Sequence, residues 1–283
     1  MPSDLLDRLH EITVDDAWGG SDGAGVKVAI VDSGIEATHD ALDDAVRGGI
    51  EVVIENDEPR VETCERVVDD FGHGTACAGI VHGVAPGAAL YSIKVLGGNC
   101  SGRGDAFAAG LEWAIDEGMG VVNLSLGTTN RRYLKSFYEL ADRAYYEGCI
   151  LVAAANNVPP PSIPSLCSSL ISVDCDDFAD DRSQFTFHPG RLIEIDAHGI
   201  NVLAPWVNGS FRHVTGTSFA APHVTGLVAR LRAKHPELTP FQIKTVLCAI
   251  GRQTSTASNA IARGAGARTV RARRQSVAQN QQP

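Results

Sequence analysis

The sequence predicts an α/β protein in which a mostly parallel central sheet carries helices on both faces. Short apolar runs alternate with helical patterns from Val26 to about Ile250, which is typical of such a sheet. The runs are rich in Val, Ile, Leu and Ala and end in glycine or polar turns, as expected for strands buried on both sides. With 283 residues, 44% of them hydrophobic, the chain has enough apolar material for one large core.

Individual elements follow from the same patterns. Apolar residues recur at helical spacing over Asp105–Glu117 and Tyr133–Glu147, and a glycine follows each segment as a C-terminal cap. Thr239 and Pro240 are typical of the cap and first position of a last helix that reaches about Ile250. The predicted strands are Val26–Val31, Ala89–Val95, Val121–Ser125 and Ile150–Ala155.

The composition argues against nucleic acid as a partner. The formal net charge is −10, whereas a nucleic-acid-binding protein normally presents a basic face. The C-terminal end is the exception, since six arginines and no acidic residue follow Gly251. We therefore divide the chain into one domain, residues 1–251, and a basic tail, residues 252–283, which we expect to be disordered because it has few large apolar groups.

The sequence has no apolar run near the ~20 residues that a membrane-spanning helix needs. Its acidic N-terminus also lacks the positive start and apolar stretch of a signal peptide. As the sequence stands we expect a cytoplasmic protein without membrane contact, and a secreted protein whose presequence has been removed would look the same. The seven cysteines leave at least one unpaired and include no CxxC pair of the kind that binds zinc.

Three separated segments each place a reactive polar group at the end of a structural element. In VAIVDSG a buried strand ends in Asp32, and in DDFGHGTACAGI the residue His73 lies between two glycines. In GTSFAAPHVTGLVARL the residue Ser218 begins a helix. Singly, each has an ordinary explanation, as a turn residue, a loop histidine and a helix cap. Together they supply the carboxylate, the base and the hydroxyl that acyl transfer by serine requires.

These segments, in the order Asp, His, Ser, resemble the signatures of the subtilisin (subtilase) family over residues 26–250. The resemblance implies a three-layer subtilisin-like fold and a serine endopeptidase that works through an acyl-enzyme, with residues 1–251 as its catalytic domain. It implies that Asp32, His73 and Ser218 form the catalytic triad. Asn157, in LVAAANN, matches the asparagine whose side-chain amide helps to form the family's oxyanion hole.

The resemblance also implies where substrate binds. The segment LYSIKVLGGNC supplies one wall of the family's cleft and VVNLSLG supplies the other. An extended peptide would add as a strand between them, although ordinary strand-end turns would explain both segments as well. The residues implied in substrate binding are Leu96, Gly97, Gly98, Ser125, Leu126, Gly127, Ala155 and Thr217.

Several departures from the family pattern lie near the site. Asn156 stands where the family usually has glycine, and asparagine tolerates a left-handed backbone better than most residues. The stretch Val158–Ile163 is short and holds three consecutive prolines, so the P1 preference does not carry over. Cys77 resembles the free cysteine that proteinase-K-like members bury beneath the histidine, and we expect it to act as a small hydrophobe.

We expect no cofactor and no metal at the site. The histidine segment runs directly into GVAPGAAL without the insertion that carries a strong calcium site in many relatives, and calcium needs six to eight oxygen ligands. A weak structural calcium site is compatible with the residues but is not predicted by them. The expected partner is a polypeptide substrate of a monomeric enzyme. We expect the family's inhibitory pro-domain either to have been removed from this chain or not to be needed for its folding.

Two alternatives stay open on the sequence alone. One is a pseudoprotease that binds peptides without turnover, and the other is an enzyme that matures one dedicated peptide precursor. A nucleotide-binding domain is excluded, because neither GxGxxG nor GxxxxGK[ST] follows the first strand.

Overall fold

The central feature of the protein is a large β-sheet. The computed structural model describes residues 9–178, 181 and 183–262, with side chains up to residue 251. Within these residues nine strands form the sheet: β1 (Lys27–Asp32), β2 (Val46–Glu55), β3 (Glu58–Thr63), β4 (Ala89–Lys94), β5 (Val121–Leu124), β6 (Ile150–Ala154), β7 (Ile171–Asp176), β8 (Phe185–Phe187) and β9 (Ile195–His198). Their order is β3-β2-β4-β1-β5-β6-β7-β9-β8, and only the outer pairs β2–β3 and β8–β9 are antiparallel.

Helices connect and cover the strands. In chain order they are α1 (Val14–Trp18), α2 (His73–Val84), α3 (Gly104–Asp116), α4 (Leu134–Tyr146), α5 (Thr217–Lys234) and α6 (Pro240–Ala262), with short 3₁₀ turns at Asp40–Leu42 and Arg131–Tyr133. A separate antiparallel hairpin, β10 (Val202–Trp206) and β11 (Ser210–Val214), precedes α5.

The two faces of the sheet carry separate cores, which makes the fold a three-layer α/β structure. Alternate side chains of a strand point to opposite faces, and in β1 Val28 and Ile30 face a core shared with α2 and α5. Ala29 and Val31 face the other core, where α3 and α4 pack. The predicted α/β fold with helices on both faces is therefore confirmed.

The sequence patterns located β1, β4, β5, β6, α3 and α4 to within a residue of their ends, but they did not identify the other five strands of the sheet or the hairpin of β10 and β11. The hairpin of β2 and β3 turns through Asn56 and Asp57, whose φ angles are 51° and 71°. Two left-handed residues of this kind are the standard signal for a two-residue hairpin. The residue pair Asn56–Asp57 in the sequence could therefore have indicated this antiparallel edge of the sheet.

The expected disorder of the tail stays a prediction, but α6 extends past its predicted end near Ile250 through residues 252–262. These residues contain no proline or glycine, and extending an existing helix costs far less than starting one. Residues 263–283 lie outside the described part of the chain, so the prediction for them is unchanged. Among the helices of the described residues, none is long and apolar enough to cross a membrane.

Replacing Phe137 with alanine should destabilise the α3–α4 side of the sheet. Phe137 is fully buried and its ring lies 4.5 Å from that of Phe107, centroid to centroid. Loss of a buried phenylalanine typically lowers the free energy of unfolding by about 3–5 kcal/mol. Urea unfolding of Phe137→Ala measures this cost.

The neighbouring aromatic residue on the same helix provides the control. Tyr138 is 41% exposed, so we expect Tyr138→Ala to unfold close to the unmodified protein. Equal urea midpoints for the two variants would contradict this account of the core.

Candidate active site

Asp32 and His73 form a hydrogen-bonded pair at the carboxyl end of β1. Asp32 is the last residue of this strand and is fully buried. Its two carboxylate oxygens lie 2.8 and 2.9 Å from Nδ1 of His73, the first residue of α2. Because a carboxylate only accepts, the Nδ1–H donates. Nε2 is then the nitrogen with a free lone pair, which is the tautomer that a general base requires.

The surroundings of the pair make the imidazole basic. Burial by itself would lower the pKa of His73, but the charge of Asp32, the Cys77 thiol and their hydrogen bonds raise it well above its ordinary value. Cys77 lies beneath the pair, with Sγ 3.7 Å from Oδ2 of Asp32 and 3.9 Å from Nδ1 of His73. Its own pKa is raised by burial, so it is a neutral thiol in this position.

Asp69 fixes the turn that presents His73. This carboxylate ties the turn after Asp32 to the first turn of α2, so the base and its partner keep their relative positions. Charge-assisted hydrogen bonds of this kind are about twice as strong as neutral ones. The sequence analysis did not single out Asp69. Its five donors are Ser33 Oγ, Phe71 N, Gly72 N, Thr75 N and Thr75 Oγ1, at 2.7–2.9 Å.

Ser218 lies in the first turn of α5, and its backbone carbonyl is held from outside the helix. A proline lacks the N–H that a helix residue donates four positions back, and Pro222 stands in that position relative to Ser218. The carbonyl of Ser218 instead accepts from Oγ of Ser125 at 2.7 Å and from Sγ of Cys77 at 3.4 Å. The nucleophile segment is thereby tied to the sheet and to the base.

A chain of buried polar groups supports this contact. Nδ2 of Asn123 donates to Oγ of Ser125 at 2.9 Å, and Oγ1 of Thr225 donates to Oδ1 of Asn123 at 3.0 Å. Asn123 and Thr225 are fully buried. Since buried polar groups are costly unless paired, this chain fixes how α5 sits against β5.

The hydroxyl of Ser218 points towards the sheet. Its Oγ donates to the carbonyl oxygen of Ser125 at 3.0 Å, whereas the hydrogen bonds of the His73 ring go to Asp32 and Cys77. Catalytic hydrogen bonds are often looser without substrate than with it. The Ser218 hydroxyl makes no hydrogen bond to His73 in this structure, and the Ser218 side chain has to rotate before the imidazole can accept its proton.

Asn157 is oriented by the start of the same helix. Its Oδ1 accepts from the N–H of Thr217 at 3.1 Å and from Oγ1 of Thr217 at 3.3 Å. Oγ1 of Thr217 also donates to the carbonyl of Ala155 at 2.6 Å. With the oxygen engaged, the amino group of the Asn157 amide is left to donate. The N–H of Ser218 is among the first amides of α5, which the helix itself cannot satisfy.

Asn156 does not take up the left-handed backbone that its position suggested. The residue is absent from the positive-φ positions of the described chain. Its Nδ2 donates instead to the carbonyl of Pro160 at 2.8 Å. The side chain, not an unusual backbone angle, therefore closes the turn before Asn157.

The two walls of the implied cleft follow β4 and β5, which lie on either side of β1 in the sheet. On one side, the N–H of Leu96 donates to the carbonyl of Asp32 at 3.2 Å, and Gly97 and Gly98 are exposed. On the other, Ser125 is buried, Leu126 is half-buried and Gly127 is exposed. A Cβ at Gly127 would lie 2.6 Å from Oγ of Ser162. Glycine is therefore needed there for the proline-rich loop to pack.

One group of side chains at the site has the composition of a metal site. Single ligand atoms of Asp32, His73 and Cys100 lie within 4.8 Å of one another. Cys100 itself was not predicted to take part in the site, although its segment, LYSIKVLGGNC, was expected to form one wall of the cleft. Cys64, Cys77, Cys100, Cys149 and Cys167 are free thiols.

The similarity to known proteins extends over the region that contains Asp32, His73 and Ser218. The model of the subtilase family matches residues 23–267. Subtilisin DY of Bacillus licheniformis is 34% identical over 255 residues, 85% of this chain and 86% of that protein. The minor extracellular protease Epr of Bacillus subtilis (strain 168) is 32% identical over 250 residues, 84% of this chain but 37% of that protein. A crystal structure of a cold adapted subtilisin-like serine proteinase has a TM-score of 0.68 at 23% identity, over 81% of this chain and 83% of that one, and is similar in fold.

Neutralising Asp32 should lower the pKa of His73. The Asp32 carboxylate raises that pKa against the opposing effect of burial, so Asp32→Asn leaves the burial effect to dominate. NMR titration of the imidazole in Ser218→Ala, with and without Asp32→Asn, measures the change.

In the protein with Asp32 intact, His73 becomes protonated as the pH falls through its raised pKa, and its function as a base is lost below that pH. An unchanged or higher pKa of His73 after Asp32→Asn would refute the electrostatic account.

Proposed function

This chain belongs to the subtilase family of serine endopeptidases, and we propose that Asp32, His73 and Ser218 are its catalytic triad and that Asn157 is an oxyanion donor. The observation that carries the assignment is the His73 imidazole, held at 2.8 and 2.9 Å by the two oxygens of a buried carboxylate. The thiol beneath that ring also contacts the Ser218 carbonyl. Three chain-distant segments thus meet at one edge of the sheet.

The chemistry follows from these contacts. Nε2 of His73 takes the hydroxyl proton as Oγ of Ser218 attacks a peptide carbonyl, and Asp32 stabilises the imidazolium without taking its proton. His73 then gives the proton to the leaving amine, which releases the first product and leaves the acyl-enzyme. Water repeats the sequence to free Ser218. The three side chains perform every proton transfer, so the proposed mechanism uses no metal or cofactor.

The oxyanion hole is proposed at the start of α5. The amino group of Asn157 and the N–H of Ser218 would donate to the oxygen that becomes negative in the tetrahedral intermediate. Thr217 supports this role because it anchors the amide oxygen of Asn157 and the carbonyl of Ala155. Such donors help most when they are fixed before the reaction, and these contacts fix them.

The proposed substrate is an extended polypeptide. It would lie between residues 96–98 and residues 125–127 and bond to both through its backbone. The proline-rich loop is tied to the second wall, since Thr128 and Ile163 exchange backbone hydrogen bonds at 2.9 and 2.8 Å. We propose that this loop sets the P1 preference. A secreted enzyme is favoured over a cytoplasmic one, because one relative is named an extracellular protease.

Replacement of Ser218 by alanine should abolish covalent labelling and proteolysis. A fluorophosphonate probe reacts with an activated serine hydroxyl, so it should label the unmodified protein and leave Ser218→Ala unlabelled. Casein hydrolysis by the same samples separates an active peptidase from a pseudoprotease.

Ser136→Ala is the matched control, because Ser136 is half-buried on α4, away from the site. It should keep both labelling and casein hydrolysis. Labelling of Ser218→Ala at the level of this control would disprove the assignment of the nucleophile.

Asn157→Ala should lower kcat by about 10²–10³, with little change in KM. Removal of one oxyanion donor in subtilisin lowers kcat by this factor. KM should change little because the donor acts mainly on the transition state. Steady-state hydrolysis of a chromogenic peptide gives both constants.

The adjacent Asn156→Ala provides a comparison, since that amide bonds to Pro160. Its kcat should fall less than tenfold on the same scale of transition-state effects. Similar losses of kcat from both substitutions would show that the loop, and not the Asn157 amide, is responsible for the effect on kcat.

A further inference from the structure

A cysteine that the mechanism does not use lies beside the catalytic base. Cys100 sits in the loop after β4, and its Sγ belongs to a group with one ligand atom each from Asp32 and His73, all within 4.8 Å of one another. The buried Cys77 also lies near this pair, with Sγ 3.7 Å from Oδ2 of Asp32 and 3.9 Å from Nδ1 of His73, so the group with Cys100 is one of two that Asp32 and His73 can form with a thiol. It combines one sulfur, one nitrogen and one oxygen donor.

The loop holds the Cys100 thiol in this place. The N–H of Cys100 donates to the carbonyl of Gly97 at 2.8 Å, and the N–H of Gly97 donates to the carbonyl of Ser101 at 3.0 Å. Cys100 has a φ of 54°, a left-handed backbone that favours glycine or asparagine over cysteine. Burial raises the pKa of its thiol to about 11, and the charges of His73 and Asp32 act on it in opposite directions. The thiol is thus within the electrostatic reach of both catalytic groups.

The three donors match the preferences of a soft divalent cation. Zinc binds cysteine sulfur at about 2.3 Å and histidine nitrogen or carboxylate oxygen at about 2.0–2.2 Å, so tetrahedral ligands are about 3.3–3.6 Å apart. Small rotations bring ligand atoms from within 4.8 Å to that spacing. Cys100 is only half-buried, so the site is open on one side. Three protein ligands and one open position are the usual form of an accessible zinc site.

We propose that Asp32, His73 and Cys100 form a binding site for a zinc-like divalent cation, and that an ion bound there reversibly switches off the peptidase. Binding releases the thiol proton to solvent and changes no oxidation state. An ion on Nδ1 of His73 would displace the proton shared with Asp32, which then moves to Nε2 and fills its lone pair, whereas an ion on Nε2 would occupy that lone pair directly. Either way the imidazole is lost as a base. The switch rests on the proposed function, whereas the binding site does not.

Cys77 is the competing ligand that the test has to separate. Its Sγ also lies near Asp32 and His73, but it is fully buried beneath them and contacts the Ser218 carbonyl. An ion reaching it would have to pass the ring. Cys100 is half-buried and lies in the same loop as the exposed Gly97 and Gly98. The site proposed here therefore depends on Cys100.

Binding can be measured without any catalytic activity. Cobalt chloride is titrated into metal-free Ser218→Ala protein, and the thiolate-to-cobalt charge-transfer absorption is followed. We expect the band in Ser218→Ala and in the control Ser218→Ala/Cys64→Ser, whose half-buried cysteine lies after β3. In Ser218→Ala/Cys100→Ser, affinity should fall at least about tenfold, since loss of even a supporting partner of a metal ligand costs 10–100-fold.

Inhibition is measured on the enzyme with Ser218 intact. After chelator treatment, zinc chloride should inhibit peptide hydrolysis, excess chelator should restore it, and calcium chloride should have no effect. The zinc concentration for half inhibition should rise at least about tenfold in Cys100→Ser, each variant being compared with its own metal-free rate. Cys64→Ser should respond like the unmodified enzyme. If Cys100→Ser misfolds by circular dichroism, Cys100→Gly replaces it, because glycine suits a φ of 54°.

The outcomes separate the two proposals. Equal cobalt affinity or equal zinc sensitivity with and without Cys100 would overturn the site, as would a loss that follows Cys77→Ser alone. If the unmodified enzyme hydrolyses no peptide, the proposed function fails while the cobalt band still decides the binding site.

Discussion

Pro222 cannot donate to the carbonyl of Ser218, and the active site is organised around the acceptor that this leaves open. Oγ of Ser125 and Sγ of Cys77 fill the place of the missing helix hydrogen bond. Through Ser125 the nucleophile segment is tied to β5, and through Cys77 it is tied to the carboxylate that holds the base. Proline usually disrupts a helix. Here it leaves the carbonyl of Ser218, in the first turn of α5, to accept hydrogen bonds from two other elements. The positions of hydroxyl, imidazole and carboxylate relative to one another depend on this junction.

The parallel sheet explains why these junction residues meet at all. In its register Asp32 pairs with Lys94, and Leu124 pairs with both Val31 and Ala153. The carboxyl ends of β4, β1, β5 and β6 therefore form one level edge, where ligands of open α/β sheets bind. Asp69 then ties the first turn of α2 to the end of β1. Chain-distant residues converge because the strands bring their ends together, and the local hydrogen bonds only fix the final orientation.

The sequence predicted those parts of the molecule that short stretches of chain determine. Strand runs, helical spacing and the Asp, His and Ser segments are local, and the layers they predict are present. Three features of the site depend on tertiary contacts and cannot be predicted from residue spacing in the sequence. They are the direction of the Ser218 hydroxyl, the hydrogen-bond donors to Asp69 and the proximity of Cys100 to His73. The hydrogen bond between Thr225 and Asn123 could not be predicted either. In the sequence alone, neither the threonine nor the asparagine differs from an ordinary core position. The last helix was predicted to end near Ile250 because the residues after Gly251 include few apolar groups. The helix nevertheless continues to Ala262.

The features that suit His73 to act as a base also suit it to bind a metal ion. A carboxylate that fixes an imidazole and raises its basicity has the same effect on histidines that bind zinc. In an ordinary serine triad the third partner is a hydroxyl, which is a poor ligand for soft cations. A thiol next to the pair changes the balance, because sulfur favours such ions. In this chain one thiol, Cys77, is enclosed and pairs with the carboxylate, while the other, Cys100, belongs to a half-exposed loop. Burial therefore separates a thiol that supports the base from one that can compete for it.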